Sequence, residues 1–395
     1  MIVAGGSYLE VCLRPEWRRL FGSGLRAAAA VANLSPGTVL HTYGFTDWTK
    51  DIIHSAQAFG AAATIRPIAE AISFSYIHPL SASRLHPRTP HQQAPLEVDG
   101  SVVLRFGFVE GDAVVRAEHA VYDPQTGAAP AAFGANGSRA AHVAVVLNEE
   151  EAALESAAAG RADPSQLIGF HGAEVIVVKR GPRGATVYER SGARADVPAY
   201  RSAKVFKIGS GDVFSAAFTH YWGEKRLDPA VAADLASRSV ANFVDSHALP
   251  LAAASSSGPE IPVDGSRLRG RIYLAGPFFD LAQRWLVEEA HRTLLALGAE
   301  VFSPLHEVGT GLPRVELAAA DIAGLRGCST VLALLDGMDP GTVYEVGYAR
   351  ALGLPVVALA ERTDAESLTM IAGSDCEIVD DFTSAVYRAI WAASR

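Results

Sequence analysis

The sequence predicts an α/β protein of two domains, each a largely parallel sheet covered by helices, and three observations carry that prediction. Short β-branched runs alternate with Ala-rich, helix-length stretches: IVAGG, HVAVVLN and EVIVVKRG in the first part, then RIYLAG, AEVFSP, STVLALLDG and LPVVALA in the second. Apolar strands alternating with helices imply parallel sheets buried on both faces, with ligands at the carboxyl ends of the strands. At 395 residues the chain exceeds one ordinary core. Between the patterned regions, residues 245–270 read DSHALPLAAASSSGPEIPVDGSRLRG, small, polar and punctuated by proline. The expected domains are therefore residues 1–250 and 270–395, joined by a linker over 251–269.

Composition narrows the function classes. With 49% hydrophobic and 19% charged residues, both domains should have real interiors. The net charge is −9 and the basic residues are dispersed, which argues against a nucleic-acid polymer as partner. Small phosphorylated ligands stay compatible, because loops rather than net charge bind them. Cys12, Cys328 and Cys376 form no CxxC pair, which favours a reducing compartment over a zinc ribbon or a disulfide scaffold. MIVAGGSYLEV has no basic start and reads as a first strand, not a signal peptide. No run of about 18 apolar residues is present, so no membrane span and a cytoplasmic location are expected.

Residues 74–95, FSYIHPLSASRLHPRTPHQQAP, are rich in His and Pro; without metal-ligand spacing they read as a solvated or lid-like segment. The following LEVDGSVVLRFGFVEGDAVVRAEHAVY alternates like one or two hairpin strands. Further on, KIGSGDVFSAAFTHYW is a Gly-rich turn opening a helix. Gly209, Ser210 and Gly211 leave amides free at a helix N-terminus, where a phosphate can bind. Asp212 could take a proton from an attacking hydroxyl; the alternative is a tight turn with an N-terminal acid.

In the second domain STVLALLDG reads as a strand, DPGT as a turn and VYEVGYARALG as a helix ended by Gly353. Glu345 then falls in the first helical turn, where amides and macrodipole favour an anion by roughly 0.3–1 kcal/mol. It is either a nucleophile or a residue that only complements the dipole. RIYLAGPFF is a strand entering a Gly-Pro turn (Gly276, Pro277), with Phe278 and Phe279 suited to floor a pocket for a flat ring. Asp321 lies on a helix among Ala, Ile and Leu; buried, it would have a raised pKa and deliver a proton, and exposed it is an ordinary helix face.

Two resemblances follow from these segments. GSGDVFSAAF resembles the GAGDxFxxG signature of ribokinase-like (PfkB-type) sugar and nucleoside kinases, and the family's other segments occur in order over roughly 1–250. VVLNEEEA sets Asn148 and Glu151 like its NxxE element, which organises phosphate and magnesium. IVVKRGPRGATVY sets Gly181 and Gly184 near the nucleotide, GSGLRAAAAVANL resembles its Gly-Gly helix, and YGFTD its Gly-x-x-Asp segment. The resemblance implies an α/β sandwich, Asp212 as base, and ATP with Mg2+. The chain departs from the pattern at Phe206, where an Asp is usual, and at Lys207, where a Thr is usual, which argues against a monovalent-cation site. The sugar-facing glycines are broken as Gly22-Ser23-Gly24, and Glu10 stands where a substrate-holding Asp is expected. A non-catalytic sensor of nucleotide or sugar phosphate is the alternative.

IYLAGPFF, AAADIAGLRGCSTVLALLDG and DPGTVYEVGYA together resemble the nucleoside 2-deoxyribosyltransferase family over 271–360. That resemblance implies a Rossmann-like (flavodoxin-like) domain without a cofactor. It implies Glu345 as nucleophile at the anomeric carbon, Asp321 handling the proton of the leaving base, Asp339 holding sugar hydroxyls with Gly341 beside it, and Tyr273 orienting the nucleophile. It also implies a homo-oligomer, whose partner-donated residue has Ser374 or Asp375 as its nearest counterpart in MIAGSDCEIVDDF. The expected ligands are a nucleoside, its 5′-monophosphate or a pentose.

Overall fold

The computed structural model describes residues 1–125, 131–158, 163–252, 260–309 and 311–394, in two compact units, Met1–Pro262 and Val263–Arg395. Residues 253–259, within the expected linker, lie outside the described residues.

The second unit is a five-stranded sheet in the order Glu300–Phe302, Arg271–Ala275, Thr330–Leu334, Val356–Leu359, Glu377–Val379, every neighbouring pair parallel. In chain order this is 2-1-3-4-5, the doubly wound order whose ligand crevice lies between strands 1 and 3. The strands read as unbroken apolar runs because helices cover both faces. Alternation divides each run: Tyr273, Ala275, Val331, Ala333, Val356 and Ala358 share a core with Leu325, Val346 and Ala349 of the helices Arg314–Arg326 and Pro340–Ala351. Ile272, Leu274, Leu332 and Leu334 face the other way.

The first unit has a nine-stranded sheet. Its order is Arg194–Val197, Ala185–Glu189, Val175–Lys179, Arg139–Asn148, Ala113–Asp123, Leu96–Phe106, Ile2–Ala4, Val39–Phe45, Ala62–Ile68. Its neighbouring pairs are parallel except the two made by Ala185–Glu189, which follows the Gly181–Gly184 turn and runs against both of its neighbours. The alternating runs at 96–106 and 113–123 do not make the expected hairpin: they pair in parallel, Leu96 beside Ala113 and Phe106 beside Asp123. No two-residue turn sequence separates them, and the ends are tied by Leu96 N–H to Asp112 O and Gly107 N–H to Asp123 O. A second sheet of four strands, Trp17–Leu20, Leu9–Cys12, Ser73–Tyr76 and Arg84–His86, takes up part of the His- and Pro-rich segment.

The helix Gly22–Val31 is buried along its whole length, Arg26 included. It packs backbone to backbone on the end of the first strand: Gly24 N–H donates to Gly6 O at 2.9 Å, and a Cβ on Gly24 would stand 2.3 Å from Gly5 O. Gly24→Ala should therefore destabilise this unit by about 1–3 kcal/mol, since a clash with backbone outweighs the under ~1 kcal/mol gained in helix propensity. Urea unfolding of the two proteins measures it; equal midpoints would contradict the contact.

Candidate active site

At the crevice of the second unit the Tyr273 hydroxyl donates to Glu345 Oε1 at 2.5 Å. Tyr273 is wholly buried on the first strand, and Phe302 stacks on its ring at 5.4 Å between centroids, so the phenol has one direction in which to point. Glu345 comes from the helix after the third strand. Burial pushes its pKa up, to about 7; Asp321 and Asp339 push the same way, and the Tyr273 bond pulls it back. The phenol is in turn pushed well above its usual range by burial and by Glu345.

The helix bearing Glu345 begins earlier than the sequence suggested. Pro340 and Gly341 are its first residues, not a turn, because Asp339 is the N-cap and accepts from Thr342 N–H at 2.8 Å. Glu345 is consequently in the second turn, and the free amides of the first turn do not serve it. Asp339 spends one oxygen on capping, with Thr342 Oγ1 also donating to Oδ2 at 3.1 Å. Asp321 sits partly buried on the helix Arg314–Arg326, its pKa raised by burial, and its Oδ1 is buried without a hydrogen-bond partner. The structure thus brings Tyr273, Asp321, Asp339 and Glu345 into one electrostatic cluster. Gly276 packs on Leu334, and Pro277 lines an apolar cleft with Leu286, Leu334 and Leu359, residues on the opposite sheet face from Tyr273. Phe278 is half-buried and Phe279 is 76% exposed, their rings 5.5 Å apart.

In the first unit Gly209 is a left-handed N-cap to the helix Ser210–Phe218. Gly211 and Asp212 start that helix, and Ser210 N–H is taken by Lys207 O. Asp212 is buried and doubly engaged: Arg26 Nη1 donates to Oδ2 at 2.7 Å and Gln125 Nε2 to Oδ1 at 2.6 Å. Arg26 also donates to Glu10 through Nη2. Burial alone would lower the Arg26 pKa, but Glu10 and Asp212 together raise it. Nearby, Lys179 Nζ donates to Asp123 Oδ2 at 2.8 Å and lies 3.4 Å from where a Gly211 Cβ would be. Asp123 Oδ1 is buried without a partner. Lys207 is pushed down by burial and then by Lys179.

Asn148 and Glu151 close on each other. Asn148 N–H donates to Glu151 Oε2 and Glu151 N–H to Asn148 Oδ1, both at 2.8 Å, a reciprocal cap on the helix Glu149–Ala158. Burial, then Asp123, raises Glu151 to about 7. Gly181 and Gly184 shape the turn between the strands 175–179 and 185–189. Phe206, in place of an acid, packs between Trp17 at 5.0 Å and His247 at 4.4 Å and ties the four-stranded sheet to the loop before Gly209. Sequence reasoning did not single out Arg26, Gln125, Lys179 or Asp123. Arg26 alone carried a signal, as one charge inside an alanine run. Among the described residues no group of three or more His, Cys, Asp and Glu is arranged to hold a metal ion, and no helix is long and apolar enough to cross a membrane.

Comparison with known proteins finds a family match within the second unit. Residues 272–380 match the model of the nucleoside 2-deoxyribosyltransferase family. No curated protein matches the chain. Solved structures similar to it include a ribokinase of Thermotoga maritima, at 17% identity, 65% of this chain, 95% of that chain and a TM-score of 0.43. A nucleoside kinase of Burkholderia thailandensis solved with inosine shows 16% identity, 62% and 90% coverage and a TM-score of 0.44. A ribokinase of Cryptococcus neoformans var. grubii solved with ADP shows 15%, 62%, 93% and 0.48.

Because the Tyr273 bond favours the ionised carboxylate, Tyr273→Phe should move the Glu345 titration upward from about 7. Carboxyl carbon NMR of the full chain against pH measures this, and a midpoint that stays or falls would contradict the bond.

Proposed function

We propose that the C-terminal unit cleaves or transfers at the N-glycosidic bond of a nucleoside, a deoxynucleoside or its 5′-monophosphate, with Glu345 as nucleophile. The observation that carries this reading is the short bond from a wholly buried phenol to Glu345, next to an acid with an unpartnered buried oxygen. Tyr273 occupies Oε1, which leaves Oε2 to attack the anomeric carbon. As the C–O bond forms, the C–N bond breaks and its electron pair passes to the base, which takes a proton from Asp321. The sugar is then held as an ester of Glu345. Water or a second base attacks the same carbon, releases the carboxylate and gives hydrolysis or transfer. Two carboxyl groups dividing nucleophile and acid roles is the logic of retaining glycoside hydrolysis. The second oxygen of Asp339 suits the sugar hydroxyls, with Gly341 leaving room beside it. Phe278 and Phe279 are the proposed base-side wall, carried there by the Gly276-Pro277 turn, whose own contacts are with Leu334 on the other sheet face.

For the N-terminal unit the sequence resemblance supports an ATP-dependent kinase of sugars or nucleosides. The amides of Gly211 and Asp212 with Lys179 would hold phosphate, and Asp123, Glu151 and Asn148 would stand toward Mg2+; the unpartnered Asp123 Oδ1 fits an added cation. Bound there, magnesium would neutralise charge on the transferring phosphate. One observation favours the second reading, a non-catalytic nucleotide or sugar-phosphate sensor: both Asp212 oxygens already accept hydrogen bonds, one from the buried Arg26 and one from the exposed Gln125. A cytoplasmic location is consistent with three buried cysteines that form no disulfide with one another.

An oligomeric C-terminal unit is supported by large apolar side chains left open, Val315 at 83% and Tyr344 at 59% exposure on the helices that carry Asp321 and Glu345, and Leu281 at 87% at the start of the helix Leu281–Ala296. Asp375, at a left-handed φ of 59°, is likewise directed to solvent and available to a neighbouring copy.

Two outcomes test these readings. Glu345→Ala should abolish free-base release, measured by chromatography from nucleosides and monophosphates, with the fold retained; Asp321→Asn should lose about 10²–10⁴-fold. A sugar ester on Glu345 trapped by mass spectrometry would support the route, and wild-type rates in Glu345→Ala would remove it. Light scattering should give a dimer or larger, shifted toward monomer by Leu281→Asp with Val315→Asp; a monomeric wild type refutes the assembly.

A further inference from the structure

We propose that Arg26 is a built-in cationic ligand of the N-terminal unit: its guanidinium fills the space between Glu10 and Asp212 that an acceptor hydroxyl would need. This unit then does not transfer phosphate to a sugar or nucleoside. The inference deepens the sensor reading above and rests on it.

A general base needs an oxygen within hydrogen-bond reach of the proton it removes. Asp212 has Arg26 on one oxygen and Gln125 on the other, and only 7% of the residue is exposed. Displacing Arg26 is costly, because the same guanidinium serves Glu10, which is 4% exposed; a buried carboxylate stripped of its partner is strongly destabilising. A planar guanidinium can bridge two carboxylates with separate N–H groups, which a hydroxyl cannot. Arg26 also lies flat on the glycine turn: a Cβ at Gly209 would stand 2.1 Å from its Nε.

The rest of that wall is closed by the chain itself. Gly24 meets Gly5 backbone to backbone, so the broken glycine pair packs a helix instead of facing a sugar. The Tyr8 ring covers Gly6, and its hydroxyl donates to Glu110 Oε2 at 2.6 Å, with Glu110 1% exposed. Glu110 Oε1 and Ser23 Oγ are buried there without a partner, so what closes the position beside Asp212 and Glu10 is Arg26 itself.

The test uses the full chain. Wild type with ATP, Mg2+ and a panel of pentoses and nucleosides should form ADP at the protein-free background. Arg26→Ala should melt several degrees lower, and millimolar methylguanidinium should restore part of the loss where methylammonium does not. Should that variant not fold, Glu10→Gln with Arg26→Ala opens the same cavity with balanced charge and should show the same preference. Acceptor-dependent ADP formation about tenfold above background in wild type would overturn both this inference and the sensor reading. Equal response to the two cations would overturn the ligand role of Arg26 and leave the sensor reading standing.

Discussion

The C-terminal unit is arranged around one hydrogen bond, from a phenol on its first strand to a carboxylate on the helix after its third. Neither partner is comfortable alone: a buried carboxylate resists ionisation, and a buried hydroxyl without an acceptor costs about 1–3 kcal/mol. Joining them settles both at once and fixes the carboxylate in one rotamer with its second oxygen unclaimed. The requirement also explains the surroundings. Phe302 holds the ring, Asp339 caps the helix so that it starts where Glu345 reaches Tyr273, and two neighbouring acids keep the local charge high.

The two candidate acids Asp212 and Asp321 are held differently, although the first unit also leaves Asp123 Oδ1 buried without a partner. In the first unit, Glu10, Arg26, Gln125 and Asp212 form a closed set, each side chain bonded within the chain. In the second, a buried Asp321 oxygen is left without a donor, a deficit that a native interior tolerates mainly where another molecule completes it. Retained motif residues therefore mean different things in the two places. Asp212 has both oxygens bonded within the chain, whereas Asp321 keeps one oxygen without a partner.

Much of this was legible in the chain and some was not. The alternation of apolar runs and helical stretches exposes both α/β units, since a parallel sheet buried on both faces has to read that way. DPGTVYE holds the cap as well, because Asp followed by Pro marks the start of a helix; reading Pro-Gly as a turn moved Glu345 one turn too early. Pairing direction at 96–123 was hidden, since alternation reports which face a residue takes and not which way its neighbour runs. Tyr273 as the partner of Glu345 is a contact across 72 residues, visible only through family resemblance. The Arg26 network is of the same kind, a meeting of residues from four distant segments.

The first strand of the C-terminal unit is five residues long and buried on both sides, with odd positions turned toward the helix that bears Glu345. Its side chains therefore behave like a reading frame. Inserting or deleting a single residue between Gly270 and Tyr273 would exchange the two faces and send the phenol into the opposite layer. A two-residue change would keep the face but slide the ring by about 6.6 Å, beyond reach of its partner. Homologous chains should accordingly vary in length across the segments 303–313 and 360–368, and hold this strand to an unchanging count.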